Sequence, residues 1–495
     1  MIRPIQKFEH KLSAVLDLVG ATSVGGDVVL TGFTNDSQEV IEGDLFIALP
    51  GLKVHGATFA TQAAERGARA ILTNTIGEEI ARNVGIPIIT VTNPRASAGV
   101  ISSWFYSEPM RDMYSVGITG TNGKTTTSTL LAQIWELAGR QVGLIGTVET
   151  RIVKEVSASK RTTPESPELQ SLIATMRERH VRNLVMEVSS HAISLERVRG
   201  AHFSLVAFTN LTQDHLDFHR DMDEYFRVKS SLFKFEYADK AFINIDDPYG
   251  EILSSRCEIP VTTLSRMQKS SDWHFVSAYP FASGYEIVMR GVGGILIEGQ
   301  VHFSGDYNLD NLLMAVAIAV ESGVDPLVIS TILPKLRSAP GRFEPVVAGQ
   351  SFRAFVDYAH SPDAVVRVLE SCKKMTKGKV IAVLGCGGDR DSLKRPLMGQ
   401  ALLAGSDVAV FTSDNPRSED PEQILRQMIG SSAILAPSAV IVDRSAAISY
   451  AVAQADADDV VIILGKGHEQ GQEINGEVFP FDDRLALSTA IESSA

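Results

Sequence analysis

The chain has 495 residues, with 46 Lys and Arg against 59 Asp and Glu, a formal net charge of −13, and 44% hydrophobic against 21% charged residues. That balance fits a globular chain long enough for about three domains and disfavours nonspecific binding to nucleic acid. Cys257, Cys372 and Cys386 are widely spaced and form no CxxC pair, which excludes a disulfide framework and points to a reducing, cytoplasmic setting. No apolar signal core follows Met1-Ile2-Arg3-Pro4, and no apolar run approaches the ~20 residues of a membrane span, so no membrane insertion is expected.

Short β-branched runs alternate with Ala- and Leu-rich helical patterns along most of the chain. Strands are predicted at Ala70–Thr73, Ile88–Val91, Ser115–Thr119, Leu184–Val188, Ser204–Phe208, Val380–Leu384, Val408–Thr412 and Val460–Leu464. Continuous apolar runs of this length, bounded by Gly and polar turns, are the mark of buried parallel strands, so the fold class is α/β. Breaks near Ser107-Glu108-Pro109 and Ser338-Ala339-Pro340-Gly341-Arg342 divide the chain into 1–109, 110–340 and 341–495.

The first unit carries Thr34-Asn35-Asp36-Ser37-Gln38 and Gly51-Leu52-Lys53-Val54-His55-Gly56, which taken alone are turns beside strands. In the second unit, strand Ser115–Thr119 runs into Gly120-Thr121-Asn122-Gly123-Lys124-Thr125-Thr126, and a helical pattern over Ser128–Leu137 follows. Glycines let the backbone turn its N–H groups toward phosphate oxygens, and the helix N-terminus adds partial positive charge. Lys124 is placed to reach the β- and γ-phosphates of a nucleotide, and the Thr125 hydroxyl to coordinate Mg²⁺. The glycine spacing is not that of a standard Walker A loop: Ile118 stands where that pattern has its first glycine.

Glu187, at the end of the next strand, can face a ligand crevice or be an ordinary edge glutamate. The segment Asp214-His215-Leu216-Asp217-Phe218-His219 concentrates potential metal ligands, and zinc is a rival to magnesium here, although no thiolate or HExxH helix accompanies it. Lys229 has the spacing of a solvated lysine on an amphipathic helix. Asn308 and Asn311 fall one helical turn apart before the helix Leu312–Val320, and capping accounts for one of them. In the third unit, Gly385-Cys386-Gly387-Gly388-Asp389-Arg390, Asp414-Asn415-Pro416-Arg417 and Gly465-Lys466-Gly467-His468-Glu469 each follow a strand, so they can converge on one crevice. Arg390 and Arg417 offer forks for carboxylates, while Asp414 and Glu469 suit an ammonium group.

Gly120–Thr126 resembles the phosphate loop of the Mur ligase superfamily, the ATP-dependent ligases of peptidoglycan precursor assembly and their folylpolyglutamate synthase relatives. The departure from Walker A spacing is that family's own pattern, and the resemblance extends over essentially the whole chain. It implies a UDP-sugar-binding N-terminal domain, a central ATPase domain with a mostly parallel sheet, and a Rossmann-like C-terminal domain. It implies that Gly120, Thr121, Asn122, Gly123, Lys124, Thr125 and Thr126, with Asn308, Arg342 and Asp357, bind ATP. Lys124, His215 and Lys229 would be catalytic, and Thr125, Glu187, His215 and a carbamylated Lys229 would hold Mg²⁺. Ser37, Leu52, Lys53, Val54, Thr162, Thr163, Ser189 and Arg197 would contact UDP-MurNAc-L-Ala-D-Glu. Arg390, Asp414, Asn415, Pro416, Arg417, Gly465 and Glu469 would take the incoming amino acid. The Asp-Asn-Pro-Arg quartet is similar to that of the meso-diaminopimelate-adding members, because a lysine-adding site has no second carboxylate for Arg417. L-Lysine as the added amino acid, a folylpolyglutamate synthase-like ligase and a nucleotide-hydrolysing switch stand as alternatives. A monomer is expected.

Overall fold

The computed structural model describes residues 1–24, 26–51, 53–281 and 283–494. In the N-terminal region, five strands lie in the order Ser23–Val24, Ile88–Thr90, Ala70–Thr73, Asp44–Ile47, Gly32–Thr34, parallel except at the first pair. Successive residues of Asp44–Ile47 alternate between two cores. Leu45 and Ile47 pack with Phe105 and Leu12, whereas Phe46 packs with Ala60 and Ile71. Both faces are therefore covered, which is why this strand reads as an unbroken apolar run.

The central sheet has 11 strands. Its parallel heart runs Val142–Ile145, Asn183–Glu187, Tyr114–Thr119, Leu205–Phe208, Ala241–Asn244, Val261–Ser265 and Trp273–Phe281. Antiparallel strands extend it at both ends, Glu149–Ile152 and Glu155–Ala158 on one side, Gly284–Arg290 and Leu296–Val301 on the other. Leu184 and Met186 face one core and Val185 the other, and Val206 and Phe208 are opposed to Leu205 and Ala207 in the same way. The strand before the phosphate loop sits between Asn183–Glu187 and Leu205–Phe208, so strand order reverses at its two flanks. In an open α/β sheet such a switch point leaves a crevice at the strands' C-terminal ends.

The third region holds six strands in the order Glu344–Pro345, Arg353–Asp357, Val460–Leu464, Val380–Leu384, Val408–Phe411, Ala439–Val440, parallel except at the first pair. Val460, Ile462 and Leu464 belong to one core and Val461 and Ile463 to the other, a doubly wound arrangement.

Ala70–Thr73, Val380–Leu384 and Val460–Leu464 have the bounds expected from sequence. Two helices begin earlier than expected. The phosphate-loop helix spans Lys124–Leu137, and the later one spans Asp306–Glu321. Three successive threonines disfavour the first turn of the former by propensity. Gly123, at φ 90°, turns the chain directly into it, and the packed loop overrides the local preference.

Candidate active site

The phosphate loop is held by its own geometry. Gly120 has φ 150° and Gly123 φ 90°, and a Cβ at Gly120 would stand 1.9 Å from Thr209 Oγ1. Glycine is thus required where the loop passes the strand end at Phe208. Lys124 Nζ folds back to donate to Gly120 O at 2.9 Å and Thr121 O at 2.8 Å. Lys229 Nζ donates to Gly120 O at 2.9 Å and lies 3.4 Å from Thr119 Oγ1.

Lys229 is 1% exposed, so it is not the solvated lysine its helical spacing allows. Burial pushes its pKa far down, and the charge of Lys124 acts in the same direction. Burial also lowers the pKa of Lys124, opposed by Glu187 and Asp214. Two amines thus crowd one loop, with backbone oxygens and a hydroxyl as their partners.

Glu187 is buried and is no edge glutamate. Its Oε2 accepts from Thr125 Oγ1 at 3.1 Å and Thr147 Oγ1 at 2.8 Å, and Oε1 accepts from the Thr147 N–H at 2.8 Å. His215 sits at φ 56°, an uncommon conformation for a residue with a Cβ. Its N–H donates to Asp214 Oδ1 at 2.9 Å, and its Nε2 is 3.5 Å from Asp214 Oδ2. Burial takes the His215 pKa well below its ordinary value, against the pull of Asp214. Burial opposes ionisation of Asp214, but His215, His360 and Lys394 outweigh it and hold this carboxyl below its ordinary range.

The third domain closes over this loop. Arg342 Nη2 lies 3.3 Å from Thr125 Oγ1, and the guanidinium stacks 4.4 Å from the ring centre of Tyr358. The cavity between the domains is lined by Gly123 and Asn311 on one wall and by Arg342, Asp357 and Tyr358 on the other. Asp357 accepts from the N–H groups of Phe343 and Ala359, each at 2.7 Å, and burial raises its pKa to about 6. The Tyr307 hydroxyl and Arg342 Nε are buried, border this cavity and have no hydrogen-bond partner among the described residues.

Of the two asparagines one turn apart, Asn311 lines the cavity. Asn308 instead turns inward, donating to Ser304 O at 2.7 Å. The helix begins at Asp306, so both lie within it, and Asn311 Nδ2 donates to Asn308 Oδ1 at 3.4 Å.

A second cleft opens beside the first. Its central-domain wall carries Thr162, Thr163, Ser189, Arg197 and His215; its third-domain wall carries Arg390, Asp414, Asn415, Arg417, Gly465 and Glu469. Thr163 Oγ1 donates to Glu187 O at 2.9 Å and accepts from the Ser189 N–H at 3.2 Å. Thr162 Oγ1 is 3.1 Å from Thr147 Oγ1, itself bonded to Glu187. The central-domain wall is thereby tied to Glu187 beside the phosphate loop. Arg197 Nη1 donates to Thr163 O at 3.2 Å and Nε pairs with Glu165 at 3.0 Å; Glu165 in turn pairs with Arg95 of the N-terminal domain at 2.8 Å.

On the opposite wall, Arg417 Nε pairs with Glu473 at 3.1 Å and Nη1 donates to Gly388 O at 2.7 Å. Its φ is 52°, and it forms an isolated β-bridge with Ile474. Glu469 Oε2 receives Asn415 Nδ2 at 2.9 Å and Lys466 Nζ at 3.2 Å. Pro416 is buried behind Arg417, with its carbonyl close to Gly388.

Ser37 is buried and donates to Gln62 Oε1 at 2.8 Å, and Lys53 and Val54 are exposed. These three do not line the cleft. Leu52 lies outside the described residues. Sequence reasoning passed over Thr147, Tyr358, His360, Lys394 and Lys466. Tyr358 and His360 stand beside Asp357 in the sequence, whereas Thr147 and Lys394 carry no local signal of their own.

An α/β phosphate-loop domain set between a second α/β domain and a doubly wound domain that closes on it defines a three-domain ATP-dependent ligase. Residues 118–319 match the Mur ligase middle domain, 341–467 the Mur ligase glutamate ligase domain, and 29–106 the Mur ligase family catalytic domain. The UDP-N-acetylmuramoyl-L-alanyl-D-glutamate–2,6-diaminopimelate ligase of Streptomyces coelicolor is 44% identical, covering 99% of this chain and 98% of its own. The ligase of the same name from Geobacillus thermodenitrificans is 41% identical, covering 94% and 96%. A solved structure of a ligase with that name is 31% identical, covers 94% of this chain and 95% of its own, and superposes with a TM-score of 0.66. The chain belongs to the Mur ligase family.

Proposed function

We propose that this chain is the ATP-dependent ligase that adds meso-diaminopimelate to the D-glutamate γ-carboxylate of UDP-MurNAc-L-Ala-D-Glu, a step of peptidoglycan precursor synthesis. The observation that carries this reading is the second cleft. A wall of hydroxyls and Arg197, tied to Glu187, faces a wall of two arginines and two carboxylates, and the phosphate loop opens beside both. An acceptor carboxylate, a zwitterionic amino acid and a nucleotide's phosphates can meet there.

In the first step the γ-carboxylate oxygen attacks the γ-phosphorus of ATP, the bond to the β-phosphate oxygen breaks, and ADP leaves from an acyl phosphate. Lys124 and Arg342, on opposite sides of the loop, neutralise the transferring group, and closure of the third domain excludes water from it. In the second step the neutral amine of diaminopimelate attacks the acyl carbon, the bond from that carbon to the phosphate oxygen breaks, and the nitrogen passes one proton to the departing phosphate. Positioning of the two reactants supplies much of the acceleration. Arg390 and Arg417 orient the distal carboxylate, and Asp414 with Glu469 the distal ammonium.

The donor set around Glu187 fits Mg²⁺. A buried carboxylate beside the phosphate loop accepts hydroxyl and amide protons rather than pairing with a lysine or arginine, and burial disfavours the charged form of the neighbouring His215. Among the described residues no three His, Cys, Asp or Glu side chains form a metal-binding group. Thr125, Glu187, His215 and Lys229, the last as its carbamate, would complete the set. Burial disfavours the charged form of Lys229, and the neutral amine is the form that adds CO₂. When bound, Mg²⁺ supplies charge neutralisation among the phosphates and carboxylates.

In this reading the protein acts as a monomer in the cytoplasm. One chain supplies every named group, its three cysteines are free, and no helix among the described residues is long and apolar enough to cross a membrane. The test is ADP release by the purified chain with UDP-MurNAc-L-Ala-D-Glu, comparing meso-diaminopimelate with L-lysine. Release that requires both substrates and prefers diaminopimelate is expected. Preference for lysine would overturn the role of Arg417, and release without any amino acid would favour a nucleotide-hydrolysing switch.

A further inference from the structure

Asp414 and Gly465 stand just past two strands of the third domain, Val408–Phe411 and Val460–Leu464. These strands are not neighbours, because Val380–Leu384 runs between them. No ladder hydrogen bond can therefore set the distance between the two loops. Asn415 joins the loops further out, through Lys466 and Glu469, and at their root the distance is spanned by Arg444. Arg444, the first residue of helix Arg444–Ala453, donates from Nη1 to Ser413 O at 3.3 Å and from Nη2 to Leu464 O at 2.9 Å. Those carbonyls belong to the residues immediately before Asp414 and Gly465.

The fork is closed from behind by Asp483, whose two oxygens accept Nε and Nη2 at 2.7 Å each. Both side chains are inaccessible to solvent. Burial works against the Arg444 charge, but Asp483, and beyond it Asp414 and Glu469, favour it. Arg444 does not line the cleft itself.

We propose that Arg444, braced by Asp483, is a positioning residue for ligation: it sets the spacing of the Asp414 and Gly465 loops and so the fit of the incoming amino acid, which it does not touch. The inference rests on reading the third-domain wall as the amino-acid site. A buried ion pair contributes little net stability compared with a well-packed apolar pair, so a fork kept here is better explained by the two carbonyls it spans.

The test measures KM for the amino acid, KM for ATP and kcat in the purified full chain. Arg444→Lys keeps the cation opposite Asp483, but one ammonium cannot serve both carbonyls and both carboxylate oxygens. The expected result is a rise of about tenfold in KM for diaminopimelate, with KM for ATP within about twofold, the pattern of a lost positioning contact. The double variant Arg444→Met/Asp483→Leu removes both charges together and keeps the volume filled, which guards against a misfolded single variant. It should show the same selective rise. A merely structural role would lower the melting temperature and shift both KM values and kcat together, and that result would overturn the proposal. So would a folded double variant with an unchanged amino-acid KM. If wild-type enzyme turns over a different amino acid and not diaminopimelate, the proposed substrate is wrong, and the KM for that amino acid then decides the role of Arg444.

Discussion

The phosphate loop and the third-domain wall of the second cleft occupy equivalent places, at the C-terminal ends of parallel strands in two sheets, yet their cations have different partners. At the phosphate loop, Lys124 and Lys229 lie close to each other and rest on backbone carbonyls. In the third domain four cations are matched within the protein: Arg417 with Glu473, Lys466 with Glu469, Arg444 with Asp483 and Arg395 with Glu419. The Lys124 ammonium in the first region is hydrogen-bonded only to backbone carbonyls, so the phosphates of a nucleotide would complete its charge compensation on binding. The second holds ion pairs of its own, which in the proposed function suits a zwitterion read by the placement of forks. Affinity in the first ought to respond to loss of charge, and in the second to loss of geometry.

The largest effect is expected where charge alone is removed at the loop. Lys124→Ala takes away the group proposed to meet the transferring phosphoryl, and kcat/KM for ATP should fall by roughly 10²–10³, the usual scale for one lost electrostatic donor at the reacting centre. Steady-state ADP release measures it. Thermal stability should hold or rise slightly, because a buried lysine whose pKa is depressed by burial opposes folding near neutrality. A variant with full turnover would remove the loop from the mechanism altogether.

A smaller and more selective loss is expected on the other side. Arg417→Lys keeps the charge while giving up the planar fork that reaches Gly388 O and Glu473. Hydrogen bonds to charged groups are worth ~1.5–3 kcal/mol, so KM for diaminopimelate should rise roughly 10- to 100-fold. L-Lysine, with no distal carboxylate, should lose little. Competition between the two amino acids measures the ratio directly. Equal losses for both would mean that Arg417 shapes the loop and reads no carboxylate.

The contrast between the two sites also explains how far the chain could be read without a structure. Strands such as Val380–Leu384 were legible because both faces are buried, which leaves an unbroken β-branched run, and the polar loops after them were legible because they interrupt those runs. The antiparallel strands Gly284–Arg290 and Leu296–Val301 alternate buried and exposed residues and carry weaker signals. The burial of Lys229 was hidden, since its helix is amphipathic by pattern and the atoms that cover it come from Thr119 and Gly120, more than a hundred residues earlier in the chain. Asn308 and Asn311 differ only by one turn, and which of them faces the crevice depends on how the helix is rotated against the phosphate loop. Arg444 was invisible for the same reason: a lone arginine after Asp443 looks like the start of a capped helix, and its partners lie on three other segments.

The smallest effect tests whether compensation in the third domain is truly electrostatic. Arg395, buried, donates to both oxygens of Glu419 at 2.8 Å and to Gly387 O at 3.2 Å, and so joins the loop that presents Arg390 to the loop that presents Arg417. The hydrogen bonds from Arg395 lower the Glu419 pKa from 4.5 to about 2. A carboxylate whose folded-state pKa is depressed stabilises the fold above its ordinary pKa, and that contribution is lost as the pH falls through the folded value. Glu419→Gln should therefore lower the apparent Tm at pH 7 by only about 2 °C, since the carboxylate is partly solvated. The gap to the wild type should narrow between pH 4.5 and pH 2 as the wild-type carboxylate is protonated. Scanning calorimetry across that range measures it. A gap that stays constant down to pH 2 would mean that the Arg395 clamp acts through packing and neutral hydrogen bonds, and the view of the third domain as a site compensated in charge before its ligand arrives would fail at this pair.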